Sequence, residues 1–200
     1  MAGQISFSVT WLQRLTGMKK IMIIGVGGAG CNMANTFRRE AKSDSIINAT
    51  YVFADHRQPD IDYFQRVDDT TVYLNLYNID LYNDLPEDFF KDVEKVYVLA
   101  GLGGHTGTAW TPVIAQFAKF SDVKYVSAIV TTPFVFEGEK HMAHALDGLS
   151  KIKELHLDLA IALNNEKLAK QYANINFANA FDYADKAVLA AIDENIKSER

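Results

Sequence analysis

Two glycine-rich stretches carry the chemistry of this 200-residue chain. The first, Gly25-Val26-Gly27-Gly28-Ala29-Gly30, has the spacing G-x-G-x-x-G. Glycine permits positive φ and lets backbone N–H groups come close to an anion. A helix begun at such a turn adds unpaired N–H groups and a partial positive charge, so the pattern suits a phosphate. Asp55 stands where a dinucleotide enzyme holds a ribose hydroxyl. Taken alone, this stretch fits an NAD(P)-dependent oxidoreductase. The second stretch, Gly101-Leu102-Gly103-Gly104-His105-Thr106-Gly107-Thr108-Ala109, lies outside that fingerprint. Two such turns can enclose a chain of phosphates from two sides, and Thr106 and Thr108 add hydroxyl donors. An amide cradle of this kind is an anion-binding nest.

The elements that must hold these turns are legible from periodicity. Lys20–Gly25 is a near-continuous apolar run, as expected of a strand covered on both faces. A helix is expected from about Asn32 to Ala41. Further strands are expected at Tyr51–Ala54, Thr71–Leu76, Val96–Ala100, Tyr125–Val130 and Leu157–Leu163. Helices are expected to begin at Pro86–Asp92, to continue through Pro112–Lys119, and to lie within Glu137–Leu155 and Phe177–Ile196. Strands alternating with helices imply an α/β fold, a Rossmann-like and mostly parallel sheet flanked by helices. Such sheets bind ligands at the carboxyl ends of their strands, where both glycine turns fall. Residues 1–18 are weakly patterned and read as an extension, with a short helix at Val9–Leu15 as the other reading. Residues 19–200 read as one nucleotide-binding domain.

The run Ala100–Ala115 (AGLGGHTGTAWTPVIA) resembles the GGGTGTG signature of the FtsZ/tubulin family and its flanks. Other segments follow in the family's order across about residues 19–196. GVGGAGCN, residues 25–32, is similar to the first phosphate loop. PFVFEG, residues 133–138, is similar to a PFxFEG segment. The resemblance implies a GTPase-type domain related to cell division that takes GTP or GDP, with Mg²⁺ where a triphosphate is bound. It implies phosphate contacts from Gly27, Gly28, Asn32, Gly103, Gly104, His105, Thr106, Gly107 and Thr108. It places Glu137 and His141 at the ribose, and Asn164, Phe181 and Asp185 at the base. An aspartate accepts two N–H bonds from guanine and an asparagine complements its carbonyl, which discriminates against adenine. Self-association or pairing with a full-length FtsZ follows as an expected partnership. No residue is assigned a catalytic or metal-ligating role.

Departures from the family pattern shape the expected activity. Family members continue beyond the long central helix into an acidic loop and a second domain, which position the attacking water. The sequence stops at Arg200, so weak or absent intrinsic hydrolysis is expected. An interaction protein that caps or modulates FtsZ filaments is the alternative. Residues 59–90 contain no glycine, so the family's loop near the terminal phosphate is not visible. His105 replaces a signature glycine, and strain of roughly 1 kcal/mol or more is expected if that position needs positive φ. Ala54-Asp55-His56-Arg57-Gln58 stands where the family has N-T-D-A-Q, leaving Arg57 available to neutralise phosphate charge.

Composition excludes several classes. Apolar residues make up 48% and charged residues 22%, an ordinary globular mix. No apolar run is long enough to span a bilayer, so no membrane association is expected. The net charge of −5 gives no basic footprint for nucleic acid. The single cysteine, Cys31, cannot form an internal disulfide, which fits a reducing, cytoplasmic setting. Cys31 reads as a small residue packed under the first loop. His141 and His144 read as a solvated face. Tyr73, Tyr77 and Tyr82 are candidates for an exposed binding surface.

Overall fold

The computed structural model describes residues 20–40, 48–56, 64–171 and 180–198. The expectation for Val9–Leu15, and Arg57, lie outside them. Seven strands form one sheet: β1 (Lys20–Val26), β2 (Thr50–Asp55), β3 (Phe64–Asp68), β4 (Thr71–Asn75), β5 (Val93–Gly101), β6 (Tyr125–Thr132) and β7 (Leu159–Asn164). Their order is β3-β4-β2-β1-β5-β6-β7. Every neighbouring pair is parallel except β3 with β4. The helices are α1 (Gly27–Glu40), α2 (Leu81–Asp84), α3 (His105–Phe120), α4 (Glu139–Glu154), α5 (Asn165–Gln171) and α6 (Ala180–Ser198).

Side chains alternate across a strand, so β1 serves two cores at once. Met22, Ile24 and Val26 face a layer completed by Ile114, Ala115 and Ala118 of α3 and Ala145 and Ile152 of α4. Ile21 and Ile23 face the other layer, with Met33, Ala34 and Phe37 of α1 and Val188 and Ile192 of α6. A central strand covered on both faces reads as unbroken apolar sequence, and this burial fixes its register. Each such side chain contributes roughly 1.5–3 kcal/mol by leaving water.

One local expectation is corrected. Pro86–Asp92 is a chain of tight turns, with Phe89 N–H donating to Pro86 O at 2.9 Å and Val93 N–H donating to Phe90 O at 3.0 Å. It buries the adjacent rings of Phe89 and Phe90, which touch in a T-shaped contact. A surface helix would turn consecutive residues to different faces. The helix nearby is α2, capped by Asp80, whose carboxylate accepts from Tyr82 N–H at 3.0 Å. The strand β3 precedes β4 as an antiparallel edge, and α5 follows β7 directly. Both of those elements lay outside the sequence expectations.

Candidate functional site

The sheet order reverses between β1 and β5, and the loops after these two strands diverge to open a crevice. A cavity of about 640 Å³ lies there, lined by residues of both glycine turns and by His56, Thr131, Pro133, Glu137, His141, Asn165 and Asp185. The helices α1 and α3 begin at its floor, so their first N–H groups are available to a ligand. The two turns touch. A Cβ added to Gly27, where φ is +69°, would lie 3.1 Å from Gly107 N and 3.2 Å from Thr106 Cβ. The second turn bends at Gly103, where φ is +102° and an added Cβ would lie 2.6 Å from the Pro133 ring. Gly103 N–H donates to the Thr108 hydroxyl oxygen at 2.8 Å, and its carbonyl lies 3.1 Å from His144 Nδ1.

These bonds show how the expected phosphate residues divide. Gly27, Gly28, Asn32, Gly104, His105, Thr106 and Gly107 line the cavity. Gly103 and Thr108 shape the turn from behind. The strain expected at His105 is not present. The left-handed residue is Gly103, and His105 is the first residue of α3.

At the far side Glu137 and His141 both line the cavity. Glu137 Oε1 accepts from Phe134 N–H at 2.8 Å, and His141 Nδ1 lies 2.9 Å from the Glu137 carbonyl. Asp185 of α6 is 8% exposed, and the Thr36 hydroxyl donates to its Oδ2 at 3.4 Å. Phe181 lies one turn earlier on α6, with its side chain outside the described residues. Asn164 is not brought into the cavity. Its Oδ1 accepts from Lys167 N–H at 3.0 Å and so serves the start of α5. Asn165 lines the cavity instead. It is 3% exposed, and its Oδ1 has no hydrogen-bond partner among the described residues. The consecutive asparagines left either one available to sequence reasoning, and only the turn from strand to helix separates them.

His56 also lines the cavity. Its Nδ1 lies 3.2 Å from Asp55 Oδ1 and is hydrogen-bonded to the Thr106 hydroxyl. Cys31 sits under the first turn, with its thiol toward Gly25 O and Ala54 O. Burial, helped by the Asp55 charge, pushes its pKa up to about 12, so it is a packed thiol and not a reactive one. Of the tyrosines, Tyr77 and Tyr82 are exposed and Tyr73 packs against Phe53. No group of three or more metal-ligating side chains occurs among the described residues. Among those residues no helix is long and apolar enough to cross a membrane.

Comparison with known proteins agrees with this geometry. Residues 88–173 match the Tubulin/FtsZ family, GTPase domain. Cell division protein FtsZ 1 of Methanocaldococcus jannaschii is 38% identical over 102 residues, covering 51% of this chain and 28% of that protein. FtsZ of Aquifex aeolicus is 39% identical over 111 residues, covering 54% of this chain and 29% of that protein. The chain thus spans under a third of the length of these curated relatives. A solved FtsZ dimer from M. jannaschii superposes with a TM-score of 0.70 at 26% identity, over 94% of this chain and 58% of that one. The GDP-bound monomer of CetZ1 from Haloferax volcanii shares the fold alone, with a TM-score of 0.62 at 18% identity, over 86% and 58% of the two chains. The resemblance read from residues 100–115 is therefore borne out: this is an FtsZ-like chain with the Rossmann-like fold of the FtsZ/tubulin GTPase domain.

Proposed function

We propose that this FtsZ-like chain binds a guanosine di- or triphosphate in the cavity between α1 and α3. The phosphates lie between the two glycine turns, against the first N–H groups of both helices. Glu137 and His141 flank the ribose. Asp185 and Asn165 take the base edge, with Phe181 one helical turn away. One observation carries the reading: a buried amide oxygen without a partner among the described residues, that of Asn165, belongs to a residue lining the same cavity as a buried carboxylate. An orphaned acceptor costs about 1–3 kcal/mol unless a donor reaches it. Guanine offers adjacent N–H donors and a carbonyl on one edge, matching a carboxylate beside an amide. The GDP bound to the structural neighbour from H. volcanii supports the same choice. Mg²⁺ would arrive with a triphosphate, since it is usually held by one or two carboxylates together with phosphate oxygens.

Intrinsic hydrolysis is proposed to be weak. Among the described residues each carboxylate near the cavity is already engaged by protein: Asp55 by His56 N–H, Glu137 by Phe134 N–H, and Asp185 by the Thr36 hydroxyl. None is left as an evident base for water. Pairing with a second copy or with a full-length FtsZ is proposed by extension from the neighbour solved as a dimer. The binding reading is tested by thermal shift and by mass spectrometry of any co-purified nucleotide. GTP and GDP at a hundredfold excess over Kd should stabilise the chain by about 2.7 kcal/mol. A shift with NAD(H) and none with GTP or GDP overturns it.

A further inference from the structure

A nucleotide di- or triphosphate brings several negative charges into a cavity that already holds Glu137 and Asp185, with Asp55 behind His56. Among the described residues that line this cavity none is lysine or arginine. The lining side chains able to carry positive charge are His56, His105 and His141. His141 stands on the Glu137 side. His56 and His105 stand together at the phosphate side, their ring centroids 6.4 Å apart and their planes at 86°.

The two rings are not equally free. His56 is held through Nδ1 by the Asp55 carboxylate and the Thr106 hydroxyl, and its backbone N–H donates to the same Asp55 oxygen at 2.8 Å. Its Nε2, and both ring nitrogens of His105, have no hydrogen-bond partner among the described residues. Among the described residues the groups that face this pair are few. From β2 comes Asp55, and from α3 the Thr106 hydroxyl. From α1 comes the neutral Cys31 thiol, close enough to Asp55 to feel its charge. Glu137 and His141 face it across the cavity from the segment before α4 and from α4, and Asp185 from α6. The buried orphan oxygen of Asn165 marks the same cavity independently as one built for a polar ligand.

We propose that His56 and His105 form a two-imidazole clamp for the outer phosphates of the bound ligand. This inference rests on the nucleotide reading above and names what neutralises the charge at that site. Asp55 is a positioning residue here, fixing the His56 ring so that Nε2 is the nitrogen left to donate. Donation from an imidazolium to a phosphate oxygen is a charge-assisted hydrogen bond.

The test is calorimetric titration of the whole chain in metal-free buffer, using inorganic pyrophosphate, GDP, ADP and guanosine. The proteins are wild type, His56→Gln, His105→Gly and the double variant. Wild type should bind pyrophosphate roughly tenfold more tightly than the double variant, with each single variant in between. Guanosine, which has no phosphate, should bind wild type and double variant alike; this also shows that the variant is folded. A double variant that retains wild-type affinity for pyrophosphate overturns the clamp. Pyrophosphate binding weakened in the double variant, but no preference for GDP over ADP in wild type, keeps the clamp and overturns the guanine reading. No binding of pyrophosphate or GDP overturns both.

Discussion

Asn164 and Asn165 are adjacent in sequence and serve different purposes at the same turn: the first accepts at Oδ1 from Lys167 N–H at 3.0 Å, and the second holds its Oδ1 buried at the cavity wall with no partner among the described residues. Their substitutions should therefore separate stability from binding. Asn164→Ala removes a helix-capping bond and should cost about 1 kcal/mol of stability with GDP affinity unchanged. Asn165→Ala removes an orphan, so the free chain should be nearly as stable or slightly more so. Its GDP affinity should fall roughly tenfold or more. Chemical denaturation and calorimetry on both variants decide; a reversed pattern would return the base-reading role to Asn164.

Thr108 lies behind the cradle and touches none of the cavity surface, yet it holds the second turn through the Gly103 N–H bond of 2.8 Å. Thr108→Val keeps the shape and deletes the acceptor. A buried N–H is then left unsatisfied, at a cost of about 1–3 kcal/mol. Thr108→Ser keeps the bond and should stay close to wild type. A denaturation midpoint for Thr108→Val equal to wild type would show that the turn is held by packing alone.

Gly103 and Gly104 offer a contrast one residue apart. Alanine at 103 meets both a φ of +102° and the Pro133 ring at 2.6 Å, whereas alanine at 104 meets open space at an ordinary φ of −74°. Gly103→Ala should destabilise by about 2–4 kcal/mol, combining backbone strain with overpacking. Gly104→Ala should leave stability within about 0.5 kcal/mol and weaken nucleotide binding only modestly. Melting curves for the pair would expose the reverse order at once.

Alkaline pH should weaken the fold. Burial raises the pKa of Cys31 to about 12, and burial also raises those of Tyr51 and Tyr97. Above about pH 9 the unfolded chain gives up protons that the folded chain keeps, so the folded state binds more protons and stability falls as pH rises. Urea midpoints measured at about pH 8 and about pH 10.5 should show the drop. Cys31→Ala should reduce it. A midpoint that stays level across that interval would mean that these groups ionise without unfolding.

The parts legible in sequence were those whose burial leaves a one-dimensional trace. The Lys20–Gly25 run and the strand expected at Val96–Ala100 lie within strands that are buried on both faces. The glycine turns were legible because positive φ and close approach admit few other residues. The strand β3 was not, since Phe64–Asp68 is largely exposed and charged, and it exists through pairing with β4. No local pattern records a partner across an edge. His56 escaped for a related reason: its role depends on Asp55 behind it and on Thr106 and His105 reached through the fold. The choice between Asn164 and Asn165 depends on where one strand stops and a helix starts, the least legible kind of boundary.

The sheet order has a consequence for how the protein comes to exist. The two glycine loops belong to strands that pair in register, Ile24 with Val98, yet most of the first half of the chain lies between them. Closing that long segment must precede any cradle, and parallel pairing of such range is slow. During synthesis the first loop leaves the ribosome well before its counterpart and waits as half a binding surface. A nucleotide bound as proposed would meet only the late product of folding, so its capture would report completed assembly of the sheet rather than the formation of either loop.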